Sequence, residues 1–60
     1  MLNIAICDDD IQITGKIERL LQDIAKRNFV DTEIEVFWNG KSLADAIAVG
    51  ERYDVIYLDI

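Results

Sequence analysis

The chain has 60 residues, 52% hydrophobic and 30% charged, which is enough for one small globular domain at most and is not typical of a disordered segment. Its net charge of −6 argues against a nucleic-acid surface within these residues. The charge suits a cation site or a basic protein partner, and the alternative is that it only keeps the protein soluble. A single cysteine, Cys7, cannot form an intrachain disulfide, and neither a signal-peptide pattern nor an apolar run of about 20 residues is present, so we expect a cytoplasmic protein with no membrane contact.

The first predicted element is an apolar run over residues 2–7 that stops at three consecutive carboxylates, Asp8, Asp9 and Asp10. The run is short and rich in Ile, which indicates a buried β-strand. Acids at the carboxyl end of such a strand lie at the edge where open α/β sheets place their ligand sites. Because adjacent carboxylates repel one another, the cluster costs stability unless a cation shares it or the side chains diverge into water.

Next comes a predicted amphipathic helix from Ile11 to Arg27, with Asp9 or Asp10 as its N-cap. Its apolar face should consist of Ile13, Ile17, Leu20, Leu21 and Ile24.

Residues 33–38 alternate in polarity, and the acids Glu33 and Glu35 share one face, which predicts a partly wet edge strand. We expect Phe37 and Trp38 to be packing residues of this strand. An Ala-rich segment over residues 42–49 predicts a short helix, with Gly50 at its carboxyl end.

The last predicted element is the apolar run from Asp54 to Ile60, which carries Asp59 near its end. Its middle does not alternate in polarity, so we expect a strand that is buried on both faces in the interior of a sheet.

The element order β-α-β-α-β predicts an α/β fold with parallel strands, right-handed crossovers and the strand order 2-1-3, as in a flavodoxin-like doubly wound sheet. In that order the chain reverses direction between strands 1 and 3. The ends of these strands then bring Asp8, Asp9 and Asp59 to one pocket.

Oxygen ligands without His or Cys suit Mg²⁺. Asp59, a lone acid at the tip of a strand, is the candidate nucleophile for an aspartyl phosphate. Asp8 and Asp9 are the candidate metal ligands, with Asp9 as the direct ligand of the two and Asp59 sharing the metal. The alternative is that all three acids only face solvent at strand ends.

Two segments, Ile4-Ala5-Ile6-Cys7-Asp8-Asp9-Asp10 and Tyr53-Asp54-Val55-Ile56-Tyr57-Leu58-Asp59-Ile60, resemble the first and third strands of bacterial response-regulator receiver domains. The resemblance implies that Asp59 accepts a phosphoryl group from a sensor histidine kinase while Asp8 and Asp9 hold Mg²⁺. The Cys before the acids and the Leu-Asp-Ile ending are most similar to receivers with a LytTR-type DNA-binding output domain.

The resemblance covers only about the first half of a receiver, so we expect residues 1–60 to be the N-terminal portion of one incomplete domain. The family also uses a backbone carbonyl two residues beyond the phosphoacceptor, a Ser or Thr after the fourth strand and a Lys after the fifth, and the 60 residues include none of these. The resemblance implies contact with DNA only through an output domain outside these residues. The free edge of the third strand predicts self-association.

Two other functions remain open at this stage. One is a Mg²⁺-dependent phosphotransferase or phosphatase that uses an aspartyl phosphate, similar to haloacid-dehalogenase-like enzymes, for which Asp8 and Asp10 have the required spacing. The other is a non-catalytic, self-associating α/β fragment. The resemblance favours a signalling module that is not a turnover enzyme.

Overall fold

The computed structural model describes residues 1–59, and it has the predicted element order β-α-β-α-β. The elements are β1 (Leu2–Cys7), α1 (Ile11–Arg27), β2 (Thr32–Phe37), α2 (Gly40–Ala48) and β3 (Val55–Leu58). The bounds predicted for α1 are confirmed, and β2 and α2 begin one and two residues earlier than predicted. β3 is shorter than the predicted run, because Asp54 and Asp59 lie outside the strand, and Ile60 lies outside the described residues. Within residues 1–59, neither helix has the length and apolarity that a bilayer span requires.

The three strands form one parallel sheet in the predicted order β2-β1-β3, with β1 in the centre. At the carboxyl end of β1, Cys7 pairs with Phe37 on one side and with Leu58 on the other. The three strands therefore end at the same edge of the sheet, and the segments that follow them begin side by side.

The two helices lie on opposite faces of the sheet, as right-handed crossovers require. Leu43 of α2 packs with Ala5, Cys7 and Phe37 in a buried cluster on one face. The other face is covered by α1, and Leu2, Ile4, Leu21, Ala25 and Thr32 line a common groove between that helix and the sheet. Cys7 is buried and serves as a small core residue of the cluster under α2.

The predicted apolar face of α1 is partly wrong. Leu20 and Ile24 are 59% and 47% exposed, whereas Thr14 and Ala25 are buried. The helix meets the sheet along a stripe that includes Thr14, Leu21 and Ala25, and Leu20 and Ile24 lie at its more exposed margins. The periodicity identifies an apolar stripe, but it does not determine which edge of the stripe meets the sheet.

The prediction that the third strand is buried on both faces is wrong. Its four residues are 40–53% exposed, because β3 lies at an edge of the described sheet while α1 and α2 pack over β1 and β2. Neither helix of residues 1–59 therefore covers the apolar side chains of β3.

Candidate functional site: a pair of strand-end carboxylates

Asp8 is buried at the carboxyl end of β1, with only 2% of its surface exposed. Its backbone N–H donates to the carbonyl oxygen of Phe37 at 3.1 Å, which ties this residue to the end of β2. One carboxylate oxygen, Oδ1, accepts a hydrogen bond from the backbone N–H of Asp10 at 2.9 Å. The other, Oδ2, is buried and has no hydrogen-bond partner. A buried polar atom without a partner costs stability, so this oxygen lacks a proton donor or a cation.

Asp59 follows β3 directly, and its backbone N–H donates to the carbonyl oxygen of Cys7 at 3.0 Å. This bond fixes Asp59 next to Asp8. Repulsion from the Asp8 carboxylate is the main cause that raises the pKa of Asp59, followed by hydrogen bonding to Asp8, desolvation and the charge of Asp9. Two ionised carboxylates have only acceptor atoms, so they form a hydrogen bond only when one of them carries a proton. The pair therefore attracts either a proton or a metal ion.

A cleft of about 470 Å³ opens at this edge of the sheet. Its lining residues are Cys7, Asp8, Asp9, Trp38, Asn39, Gly40, Leu58 and Asp59. Three of these residues are acids and none is a base, so the described lining offers no positive side chain to balance the carboxylates. The structure thus brings together all three acids that the sequence assigned to one pocket.

Asp10 does not belong to the cleft lining, because it is the N-cap of α1. Its Oδ1 accepts hydrogen bonds from the backbone N–H groups of Gln12 and Ile13 at 2.9 and 3.2 Å. Of the two predicted caps, Asp10 is therefore the one that the helix uses.

The fit of Mg²⁺ to these residues rests on the Asp8–Asp59 pair. Among residues 1–59, no group of three or more His, Cys, Asp or Glu side chains is arranged closely enough to hold a metal ion. Mg²⁺ commonly binds one or two carboxylates and completes its octahedral shell with water and phosphate oxygens. Two adjacent carboxylates, with one buried oxygen that lacks a partner, meet that requirement. The described residues do not form a metal site with three protein ligands.

The sequence did not predict which residues form the wall of the cleft. Trp38 was expected to be a packing residue, yet it is 49% exposed and lines the cleft beside the acids. Asn39 also lines it, and its side chain caps α2 by accepting a hydrogen bond from the N–H of Ser42 at 2.8 Å. The signal for both residues was their position directly after β2, at the same edge as Asp8.

Comparison with known proteins found no match to the chain among family models, curated proteins or solved structures. The geometry of the carboxylate pair therefore carries the functional assignment.

Proposed function

We propose that the chain is a phosphoacceptor module of a two-component response regulator, with a flavodoxin-like receiver fold of which residues 1–60 form the N-terminal portion. Asp59 accepts the phosphoryl group, and Asp8 and Asp59 hold Mg²⁺, while Asp9 lines the same cleft and adds negative charge beside them. The observation that carries this proposal is the buried Oδ2 of Asp8, which has no partner and belongs to a carboxyl group adjacent to that of Asp59.

The two carboxylates have environments that suit different roles. Asp8 is buried and anchored through its backbone and Oδ1, so it provides a fixed oxygen for a cation. Asp59 is at the tip of its strand and lines the open cleft, where a donor molecule can reach it. An acid that serves as a nucleophile must be ionised, and Asp8 opposes the ionisation of Asp59. Mg²⁺, when bound, offsets the charge of the carboxylates and of the incoming phosphoryl group.

The transfer step follows from this arrangement. A carboxylate oxygen of Asp59 forms a bond to phosphorus as the bond from phosphorus to the nitrogen or oxygen of the donor breaks. The leaving group takes its proton from solvent. The physiological donor in this proposal is the phosphohistidine of a sensor histidine kinase in the cytoplasm, and the parent protein regulates transcription through an output domain outside these residues.

The second candidate, a Mg²⁺-dependent phosphatase or phosphotransferase, receives less support. It requires a free acid two residues after the nucleophile, and in this chain that spacing is met by Asp8 and Asp10. The carboxylate of Asp10 is engaged in capping α1, and Asp8 is buried. The third candidate, an α/β fragment whose acids bind no cation, requires that a proton shared with Asp59 satisfies the orphaned oxygen of Asp8.

A phosphorylation assay tests the proposal. The parent protein that contains residues 1–60 is incubated with Mg²⁺ and a small phosphodonor such as phosphoramidate, and its intact mass is measured. We expect one added phosphoryl group on the wild-type chain and none on Asp59→Asn. Asp54→Asn is the matched control, because Asp54 flanks the opposite end of β3 and its carboxylate accepts from the backbone of Asn3.

No mass increase, or an increase that survives Asp59→Asn, would reject the proposal. Sustained turnover of a phosphomonoester would instead support the phosphatase.

A further inference from the structure

Trp38 is the large aromatic side chain on the wall of the acid cleft. It follows Phe37, whose carbonyl oxygen accepts the hydrogen bond from the N–H of Asp8, so the backbone fixes it next to the acids. Cys7 pairs with Phe37 on one side and with Leu58 on the other, so Trp38, Asp8 and Asp59 are the residues that follow at the ends of the three strands. The cleft is therefore lined by Trp38 on one side of Asp8 and by Asp59 on the other.

Core packing does not account for this tryptophan. Phe37, one residue earlier, is 8% exposed and belongs to the buried cluster under α2, whereas Trp38 is 49% exposed. A half-exposed indole gives up much of the stabilisation that a buried aromatic ring provides. Its contact with the cleft is the feature that distinguishes its position.

We propose that Trp38 shields the phosphoryl group on Asp59 from water and thereby sets the lifetime of the aspartyl phosphate. This inference rests on the proposed function and adds to the same site a residue that controls the rate of hydrolysis. In the hydrolysis that it slows, a water oxygen forms a bond to phosphorus and the bond from phosphorus to the Asp59 carboxylate oxygen breaks. Asp59 regains its carboxylate, and the phosphate and solvent take the protons of the water.

The physical reason is the geometry of attack. Water must approach phosphorus from the side opposite the Asp59 oxygen, which means from the open part of the cleft. A flat apolar ring on the wall occupies part of that space and offers no acceptor for the protons of an attacking water. Removing the ring leaves a cleft whose remaining lining is dominated by carboxylates and the Asn39 amide, which a water molecule can occupy.

The test is the decay of the phosphorylated chain after removal of the donor, followed by intact mass for the wild type, Trp38→Phe, Trp38→Leu and Trp38→Ala. We expect the decay rate to rise with loss of side-chain volume, with Trp38→Phe close to the wild type and Trp38→Ala several-fold faster. Urea unfolding of each variant gives its stability separately. A merely structural role would make the decay rate follow the stability and not the size of the side chain.

Equal decay rates for the wild type and Trp38→Ala, or rates that follow only stability, would overturn the shielding role while leaving the phosphoacceptor assignment intact. If Trp38→Ala does not fold, the comparison of Trp38→Leu with Trp38→Phe decides in the same way. A wild-type chain that takes up no phosphoryl group would reject both proposals together.

Discussion

The carboxyl group of Asp59 lies against that of Asp8 at the ends of two adjacent parallel strands, and the proximity raises the pKa of Asp59. The pairing is enforced by the sheet, because the backbone of Asp59 is hydrogen-bonded to Cys7, the residue that precedes Asp8. The backbones of the two residues cannot separate without breaking the end of the β1–β3 ladder. The fold thus maintains a repulsive contact that a metal ion or a proton relieves.

The first prediction concerns the stability of Asp59→Asn. An amide in place of the carboxylate removes the repulsion and supplies a donor for Oδ2 of Asp8, so we expect the variant to be more stable than the wild type near neutral pH. Because the folded chain holds the Asp59 proton up to a higher pH than the unfolded chain does, wild-type stability falls as pH rises from the unfolded pKa through the raised folded pKa. The gain from the substitution should therefore disappear in acid below the unfolded pKa.

Urea unfolding at several pH values measures this effect. Asp54→Asn serves as the control, because it removes one negative charge next to the opposite end of β3, away from the pair. A stabilisation of Asp59→Asn that is the same at all pH values, or that Asp54→Asn reproduces, would contradict the assignment of the effect to Asp8.

The second prediction concerns Mg²⁺ and the fluorescence of Trp38, which is the only tryptophan in the chain. Quenching by iodide should be weak without metal, because the carboxylates of the cleft repel the anion, and it should increase when Mg²⁺ neutralises part of their charge. Quenching by neutral acrylamide should change much less. Asp8→Asn should abolish the response to Mg²⁺, whereas Asp23→Asn, on the exposed surface of α1, should retain it. An identical response in both variants would show that the metal acts elsewhere.

The third prediction separates capping from metal binding at Asp10. Because its carboxylate accepts from two N–H groups at the start of α1, Asp10→Ala should lower the free energy of unfolding by about 1 kcal/mol. Asp10→Ser should recover most of that loss, since serine also caps helices well. Calorimetric titration should show Mg²⁺ affinity unchanged in Asp10→Ser. A large loss of affinity there would make Asp10 a ligand.

The fourth prediction concerns Tyr53, whose hydroxyl donates to Oε1 of Glu35 at 2.6 Å. That hydrogen bond, followed by desolvation and the charge of Glu35, raises the pKa of Tyr53 to about 12. Ultraviolet titration of the Tyr57→Phe variant should therefore show a single late phenolate transition. Adding Glu35→Ala should move the transition well toward the ordinary value of about 10, whereas Glu33→Ala should have only a small effect. Equal shifts from the two substitutions would contradict the role of the hydrogen bond.

Much of the fold follows from local sequence signals. The acid at position 10 marks the start of α1, the Ala-rich segment marks α2 although the helix begins two residues earlier, and short apolar runs mark the three strands. The sheet order followed from the acidic face of β2, which identified an edge strand. The meeting of Asp8 and Asp59 then required no further information, because strand order and parallel direction place the two strand ends side by side.

The remaining features depend on what packs over each element, which a sequence pattern does not contain. An apolar composition indicates that β3 favours burial, but the surface actually covered depends on where the two helices lie. In the same way, Leu20 and Ile24 belong to the apolar stripe of α1 although the sheet contacts the neighbouring Thr14 and Ala25. Trp38 was assigned to packing because it ends an alternating run, and only the position of the strand end shows that it faces the cleft.

The last prediction concerns self-association through β3. This strand has one hydrogen-bonded neighbour among the described residues, and its four apolar side chains are about half exposed, so its other edge can pair with the same strand of a second copy. We expect sedimentation velocity to show association that increases with protein concentration, and Ile56→Lys to weaken it. The matched control is Val49→Lys, which places the same charge at an 81% exposed position after α2. Because a lysine reduces the net charge of −6, charge alone would strengthen association in both variants. A loss of association that is confined to Ile56→Lys therefore shows that β3 forms the interface. A wild-type chain that remains a monomer at every concentration would refute the prediction.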